Sequence, residues 1–563
     1  MKLPLWVREH RFFCILFILN FFLIFTRLDD IPLTTDESHN VILAKNIRMF
    51  GYPTAYDGKN FIIEQPLDIN GKGIWLVHPW LPSYLTAFSF LVFGMSTFSA
   101  RLPFALLGWF STALFYCYAL QLFKNKRVAS LATVFLVLSV PVVLFIRASR
   151  YYALYLFASI WVFYAYVKFT RHEPWSNLHL ILSQVVLFYS FSPAYFGIAL
   201  CLLVLFLFDH LDLKKRQATY CFTFKNKEQV YQFFIIMVVV GLLITPWIFY
   251  AQLWRYQPRS DETLHNTYLS KLFINLRMLH AFIFPIIIPF FVALYLYFKK
   301  KHFKKFFIRS LCGILFGILI FILYTTIWAA HNLRYYLGII PLLFLVLGYF
   351  LSFLWSRKFL FAGLLTFMII NPVYYFYNPS SNAVYGAHSP MYHSYLLYPV
   401  GRLQFEIAWL NVGFHVTSPL YSYLYELTHR HNDLLEGVIL YLNEHAQPNE
   451  TFMGSCTRFP IMVYTNLTVY PVSSPGALVP LWYPHWYRSP DSPYPDWYLA
   501  PPGLNDLAGY EKIVLPFHYS PNIFTFSLCE NNHDITTHQF KAIAFGPPVV
   551  LYHKIKNSQP QNS

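Results

Sequence analysis

The sequence predicts an α-helical, multi-pass membrane protein with a small C-terminal α/β domain. Three observations lead to this fold class. The chain of 563 residues is 56% hydrophobic and only 12% charged, whereas soluble domains carry roughly 25% charged residues. It contains repeated apolar runs that approach the length of about 20 residues needed to cross a bilayer. Its excess of basic residues falls on one side of those runs.

Eleven apolar segments are the predicted spans. Two of them, 178–192 and 194–208, are short and also fit a single re-entrant pair, although two spans agree better with the loop charges. The first segment follows Lys2, Arg8 and Arg11, as a signal peptide would, but no small-residue cleavage site follows it. We therefore expect a retained first helix. The segments are 12–27, 102–123, 128–146, 152–169, 178–192, 194–208, 230–250, 281–298, 307–328, 336–354 and 359–377.

The positions of Lys and Arg predict the orientation. With a cytoplasmic N-terminus, the inner segments hold 21 Lys and Arg against 5 Asp and Glu, and the rest of the chain holds 21 of each. The formal charge of +16 thus reflects topology. No aromatic stacking platform accompanies the basic residues, so we expect no nucleic-acid partner. The inner segments are 1–11, 124–127, 168–173, 209–229, 299–309 and 357–358.

The first outer loop, residues 28–101, is too long for a simple connector. It contains two predicted helices that lie along the membrane surface. The first, 36–50, is closed by Gly51. The second, 79–93, begins with Pro79 and stops at Gly94. A connector that merely skims the membrane is the alternative for both.

The chain divides into a predicted membrane domain, 1–377, and an extracytoplasmic domain, 378–563. The second domain holds 12 of the 26 acidic residues and no span-length apolar run. A helix over 434–446 followed by strands predicts an α/β unit. Residues 378–430 are expected to be irregular, and the Trp- and Tyr-rich stretch 472–505 is either a carbohydrate-stacking loop or ordinary loop packing. The predicted strands are 451–454, 461–465, 468–471, 511–515 and 549–553.

Two cysteines, Cys456 and Cys529, fall in the predicted outer domain. An oxidising compartment would permit a disulfide between them. Two free thiols are the equal alternative.

Polar side chains recur at the outer ends of the spans. Asp36 and Glu37 open the first surface helix, where acids in the first turn and a cap from Thr34 or Thr35 would stabilise it. A cap and a catalytic carboxylate are compatible, because capping would determine where Asp36 points. Arginine beside tyrosine at a helix end is also a common interfacial anchor. The other candidates are His39, His78, Arg101, Arg147, Arg150, Tyr152, His331, Arg334 and Tyr335.

This ordered set of motifs resembles the polytopic GT-C glycosyltransferases, in particular the protein O-mannosyltransferase and aminoarabinose lipid A transferase group. The resemblance covers about residues 11–355. It departs from the family at Trp80, where the usual motif has a second proline after His78-Pro79. The motifs are Asp36-Glu37 with His39, Ala44-Lys45-Asn46-Ile47, His78-Pro79-Trp80, Phe93-Gly94, Ala100-Arg101-Leu102-Pro103, Arg150-Tyr151-Tyr152-Ala153-Leu154 and Arg334-Tyr335.

The resemblance implies transfer of a sugar from a polyprenyl-phosphate donor to an acceptor hydroxyl, with inversion, on the outer face of the membrane. Asp36 would be the general base and Glu37 an orienting residue or a second acceptor contact. The leaving phosphate requires fixed positive charge, for which arginine is suited by its planar fork. Arg150 and Arg334 are the first candidates, and the second group comprises His78, Arg101, Arg147, Tyr152 and Tyr335.

No metal or other cofactor is expected. A metal bound by Asp36, Glu37 and His39 is the alternative, but ligands so close in sequence fit poorly on one helix face. The acceptor would be a lipid, a glycan or a protein. The family's eukaryotic β-trefoil insert has no counterpart here, which favours the inner (plasma) membrane of a prokaryotic cell.

A transporter or flippase for a lipid-linked substrate is the competing class. Transporters place ionisable groups near the bilayer midplane and often show internal repeats. The predicted spans are nearly free of charge, which favours the enzyme. A non-catalytic scaffold would leave the outer Asp and Arg residues unexplained.

Overall fold

The structure is a computed structural model. The described residues are 8–63, 68–216, 219–255, 268–283, 305–328, 333–370, 373–378, 383–384, 402–407, 412–429, 434–454, 458–470, 495–499, 507, 509–518 and 548–555.

Apolar runs form the helices of the N-terminal part, because a helix in lipid satisfies its backbone hydrogen bonds internally. The helices are α1 (Arg11–Phe25), α2 (Thr35–Phe50), α3 (Leu81–Phe93), α4 (Thr97–Phe123), α5 (Lys126–Leu138), α6 (Val140–Arg147), α7 (Tyr152–Thr170), α8 (Ser176–Ser190), α9 (Ser192–His210), α10 (Lys227–Tyr250), α11 (Tyr268–Phe282), α12 (Lys305–Trp328), α13 (Ile340–Phe353) and α14 (Lys358–Ile370).

Within the described residues, five helices are long and apolar enough to cross a membrane, or six if α5 and α6, which meet at a 62° bend, form one span. These helices therefore identify the chain as a membrane protein. Each predicted span contains helix, although only residues 281–283 of the span 281–298 lie within the described residues. The prediction for 359–377 was partly wrong, because the helix ends at Ile370 and strand β3 (Val373–Asn378) follows.

The spans pack tightly at a few small residues. Helix α9 lies along α12, α7 lies between α4 and α8, and α13 packs on α5. At the last crossing, a Cβ on Gly348 would lie 2.6 Å from the backbone nitrogen of Ala132. Such close approach is the usual use of small residues between membrane helices.

The inner loop predicted at 209–229 contains a β-hairpin that sequence reasoning missed. Strands β1 (Leu211–Arg216) and β2 (Thr219–Phe224) pair in antiparallel register. Helix α10 begins directly after it, where the Asn226 side chain accepts hydrogen bonds from two backbone N–H groups of the first turn.

Two sheets lie beyond α14. The first has the order β4-β3-β6-β5 and contains β4 (Ala383–Val384), β5 (Arg402–Ile407) and β6 (Val412–Thr417). It is followed by helix α15 (Pro419–Thr428). The expectation of irregular structure over 378–430 was therefore wrong, because alternating β-branched and aromatic residues pair as strands there.

The second sheet has the order β10-β11-β9-β7-β8 and packs with the predicted helix, α16 (Leu434–His445). Four of the five predicted strands are present. The fifth, 461–465, was wrong: it is part of helix α17, because a short apolar run does not distinguish the two states. The elements are β7 (Thr451–Gly454), α17 (Arg458–Tyr464), β8 (Thr468–Val469), β9 (Trp497–Leu499), β10 (Tyr510–His518) and β11 (Pro548–Lys554).

One hydrophobic core joins the first loop to this second sheet. Ile42, Phe61 and Trp75 from the loop pack in the same cluster as Val438 and Phe459 from the C-terminal part. The two regions therefore meet over α2, the helix that carries Asp36.

Candidate active site around Asp36

The first turn of α2 is held by a capping box. The Thr34 hydroxyl accepts from the backbone N–H of Glu37, and the Glu37 carboxylate accepts from the backbone N–H of Thr34 at 3.0 Å. The helix ends at Gly51, whose φ of 83° lies in the left-handed region. The predicted cap and stop are thus confirmed. The cap holds the backbone of Asp36 in the first turn of the helix.

Glu37 and Arg101 form a buried ion pair. The Arg101 guanidinium donates to both carboxylate oxygens, at 2.8 and 2.7 Å, and its other N–H groups donate to carbonyls of the preceding loop. The Glu37 side chain is 0% exposed and that of Arg101 is 3% exposed. Glu37 also accepts from the backbone N–H of Ser149 at 2.8 Å. The geometry directs this pair into the protein, away from any cleft.

Arg147 has a similar structural environment. Its guanidinium donates to the carbonyls of Leu23, Thr26 and Arg27 at the end of α1 and, at 2.8 Å, to the hydroxyl of Tyr423 in α15. These contacts account for its burial. Arg147 therefore ties α6, α1 and α15 together, and it is separate from the contacts around Asp36.

Asp36 lies where three elements converge. Its Oδ2 accepts from Arg334 Nη1 at 2.7 Å and from the Tyr152 hydroxyl at 3.1 Å. Its Oδ1 lies 3.6 Å from Arg150 Nη2, and its backbone carbonyl accepts from Arg150 Nη1 at 2.7 Å. The Asp36 side chain is 25% exposed. Unlike Glu37, it therefore remains open to a small molecule.

Two further side chains complete what we call the Asp36 cluster (Asp36, His78, Arg150, Tyr152, Arg334 and Tyr335). The Tyr335 hydroxyl accepts from Arg334 Nη2 at 3.0 Å. His78 Nε2 lies 3.3 Å from Arg150 Nη2. The Nε atom of Arg150 is buried and has no hydrogen-bond partner among the described residues. One donor of the Arg150 guanidinium is therefore left without an acceptor from the described residues.

The charges in the cluster do not balance. Burial opposes ionisation of Asp36, but the positive charges of Arg150 and Arg334 outweigh it and hold the pKa of the carboxyl well below its usual range. Burial, together with the charge of Arg150, lowers the pKa of His78, so this imidazole is neutral at pH 7. Two guanidinium groups thus face one carboxylate, which leaves one excess positive charge for an anion.

A small, partly open cleft adjoins the cluster. Along α2, His39 and Asn40 line it, and Trp75, His78 and Arg150 close it from other elements. His39 is buried, and its ring meets that of Phe459 edge-on at 3.9 Å. His39 therefore belongs to the wall of the cleft, on the side of the C-terminal part.

Some predicted candidates lie outside the described residues. These are His331, Cys456 and Cys529. Among the described residues, no group of three His, Cys, Asp or Glu side chains is placed to hold a metal ion.

Sequence reasoning missed the contribution of the C-terminal part. Tyr464 and Phe459 touch the base of α2, more than 400 positions away in the chain. Tyr464 falls in the stretch 461–465, which was predicted as a strand, and no local signal marked Phe459. The fold and the Asp36 cluster together describe a multi-pass membrane protein in which one partly exposed carboxylate meets two guanidinium groups.

Comparison with known families agrees with the motifs over part of the chain. Residues 77–224 match the family described as dolichyl-phosphate-mannose-protein mannosyltransferase. This match confirms the resemblance to the GT-C glycosyltransferase superfamily. The matched range includes His78, Arg150 and Tyr152 of the Asp36 cluster. No curated protein matches the chain.

Two kinds of solved structure are similar to the chain. ArnT from Cupriavidus metallidurans, bound to undecaprenyl phosphate, is 13% identical with a TM-score of 0.43, over 63% of this chain and 62% of that one. The archaeal oligosaccharyltransferase AglB from Archaeoglobus fulgidus, in complex with an inhibitory peptide and a dolichol-phosphate, is 9% identical with a TM-score of 0.49, over 82% and 64%. The chain spans less than two thirds of the length of either structure.

Proposed function

We propose that this protein is a membrane glycosyltransferase that moves a sugar from a polyprenyl-phosphate donor to an acceptor hydroxyl, with inversion at the anomeric carbon. The observation that carries the proposal is Asp36, held between Arg150 and Arg334 in an accessible cluster. The family match over residues 77–224 supports the same class. The acceptor class (lipid, glycan or protein) stays open, and no cofactor takes part in this proposal.

The two arginines bind the donor phosphate. A sugar phosphodiester carries one negative charge, which equals the excess positive charge of the cluster. A guanidinium can offer a phosphate two parallel N–H donors, which suits both arginines to this role. His78 is neutral and orients Arg150, whereas the Tyr335 hydroxyl orients Arg334.

Asp36 acts as the general base. The acceptor oxygen forms a bond to the anomeric carbon while the bond from that carbon to the phosphate oxygen breaks. The electron pair leaves with the polyprenyl phosphate, and the acceptor proton passes to the Asp36 carboxylate. Before the donor binds, the arginines keep this carboxylate weakly basic. The donor phosphate competes for the same guanidinium groups, so donor binding raises the proton affinity of Asp36 when it is needed.

Glu37, Arg101 and Arg147 have structural roles in this proposal. Glu37 and Arg101 hold the loop before α2 against α4, and Arg147 holds the end of α1. The site faces the outside of the inner (plasma) membrane, with the N-terminus in the cytoplasm, since polyprenyl-linked sugars substitute for nucleotide sugars on that side.

The test is transfer of radiolabelled sugar from synthetic polyprenyl-phosphate sugars to a membrane extract. Wild type should incorporate label, and Asp36→Asn should keep only a small residual rate while remaining folded. Asp30→Asn is the matched control, because Asp30 lies in the same loop in a partly exposed pair with Arg27 that contributes little. Equal transfer by wild type and Asp36→Asn would remove Asp36 as the base, and no transfer from any donor would favour the transporter.

A further inference from the structure

The C-terminal part reaches the catalytic helix through α17. The Tyr464 hydroxyl, at the end of α17, accepts from the backbone N–H of Leu33 at 2.9 Å. It also shares a hydrogen bond of 2.6 Å with the Thr97 hydroxyl, in the first turn of α4. One hydroxyl thus joins three elements. Leu33 directly precedes the cap residue Thr34 and lies three positions before Asp36.

A second contact from α17 lies on the next turn of α2. The Phe459 ring is buried and meets His39 edge-on at 3.9 Å. His39 is three positions after Asp36, so both project from the same side of α2. Tyr464 therefore holds the start of α2 and Phe459 supports the following turn.

Neighbouring hydrogen bonds make this contact rigid. Asn60 in the first loop accepts from the backbone N–H of Val469 at 2.8 Å and donates to the carbonyl of Leu467 at 3.3 Å. The loop thereby caps the edge of the sheet at β8, next to α17. A displacement of α17 would therefore also displace the start of α2, because packed interiors deform little.

We propose that Tyr464 and Phe459 are positioning residues, through which the C-terminal part sets the place of Asp36 relative to the bound donor. This inference rests on the proposed function. Arg150 and Arg334 lie on other elements, the α6–α7 turn and the 3₁₀ turn Leu333–Tyr336. The Tyr464 hydroxyl bonds to Leu33 and Thr97, so its removal acts first on the start of α2 and reaches the arginines only through α2.

The test is steady-state transfer by Tyr464→Phe, which removes one hydroxyl and keeps the ring. Misplacement of a reacting group by about 1 Å can lower a rate by as much as about 10²-fold. We expect kcat to fall by about tenfold or more while the donor KM stays unchanged. In an Asp36→Asn background, Tyr464→Phe should not lower the residual rate further, because it acts through Asp36.

Tyr510→Phe is the matched control, since it removes a hydroxyl bonded to the carbonyl of Pro495 from β10, at the opposite edge of the sheet from β8. Phe459→Leu is the second variant and should also lower kcat at constant donor KM. Unchanged kcat per folded molecule in Tyr464→Phe, or additive losses with Asp36→Asn, would overturn the inference. Absence of transfer by wild type would instead overturn the proposed function on which the inference rests.

Discussion

Amide substitution of the adjacent carboxylates Asp36 and Glu37 should impair two different properties of the protein. Glu37→Gln removes the charge that compensates Arg101 in a site where both side chains are almost fully buried. Asp36→Asn removes a charge that is 25% exposed and stands between two arginines. We expect the first variant to lose stability and the second to lose turnover.

The contacts of each carboxylate determine how much its substitution should lower the free energy of unfolding. Glu37 accepts from two nitrogens of Arg101 and from the backbone N–H groups of Ser149 and Thr34. Removing one partner of a buried ion pair costs about 3–5 kcal/mol, because the other charge is left uncompensated. For Asp36→Asn we expect a smaller loss than for Glu37→Gln, because the Asp36 side chain is 25% exposed and solvent partly compensates the two arginines.

The assay is an unfolding titration with SDS in mixed micelles, followed by the fluorescence of the 14 tryptophans, with sugar transfer measured on the same preparations. Arg101→Lys serves as an additional variant that keeps the charge and loses the fork. A Glu37→Gln protein as stable as wild type would refute the buried-pair argument. Equal destabilisation by both amide substitutions would refute the separation of roles between the two carboxylates.

Three further predictions follow from the cluster and from the packing of the spans. Arg334→Lys keeps a positive charge but loses the planar fork, so the donor KM should rise about tenfold in donor-saturation kinetics; an unchanged KM would contradict phosphate binding there. The lowered pKa of Asp36 keeps it ionised in the free enzyme at pH values below its ordinary pKa of about 4, and donor phosphate counters this shift. The acid limb of kcat should therefore lie at higher pH than that of kcat/KM. Coincident acid limbs would contradict the competition between Asp36 and the donor phosphate for the arginines. Gly348→Ala places a Cβ against the backbone of Ala132 and should cost about 1–3 kcal/mol in the SDS titration, whereas Gly363→Ala, with open space around it, should be neutral.

Local sequence signals predicted the elements that carry the site. Thr34 and the acids after it marked the start of α2, and Gly51 and Gly94 marked the ends of α2 and α3. These signals are readable because capping and left-handed conformations depend on residues only a few positions apart. The same locality explains the errors at 461–465 and over 378–430, where short runs carry no decisive period.

The sequence by itself determined that this is a membrane protein, that α2 opens with two acids, and that arginines and tyrosines stand at the ends of its spans. Only the tertiary structure decided which acid is accessible and which arginine faces it. Asp36 meets Arg334 across 298 positions, whereas Glu37 is enclosed by Arg101. Tyr464 reaches the same helix from the C-terminal part. The physical reason is that burial and charge pairing depend on how helices cross, and the crossings arise from packing between residues far apart in the chain.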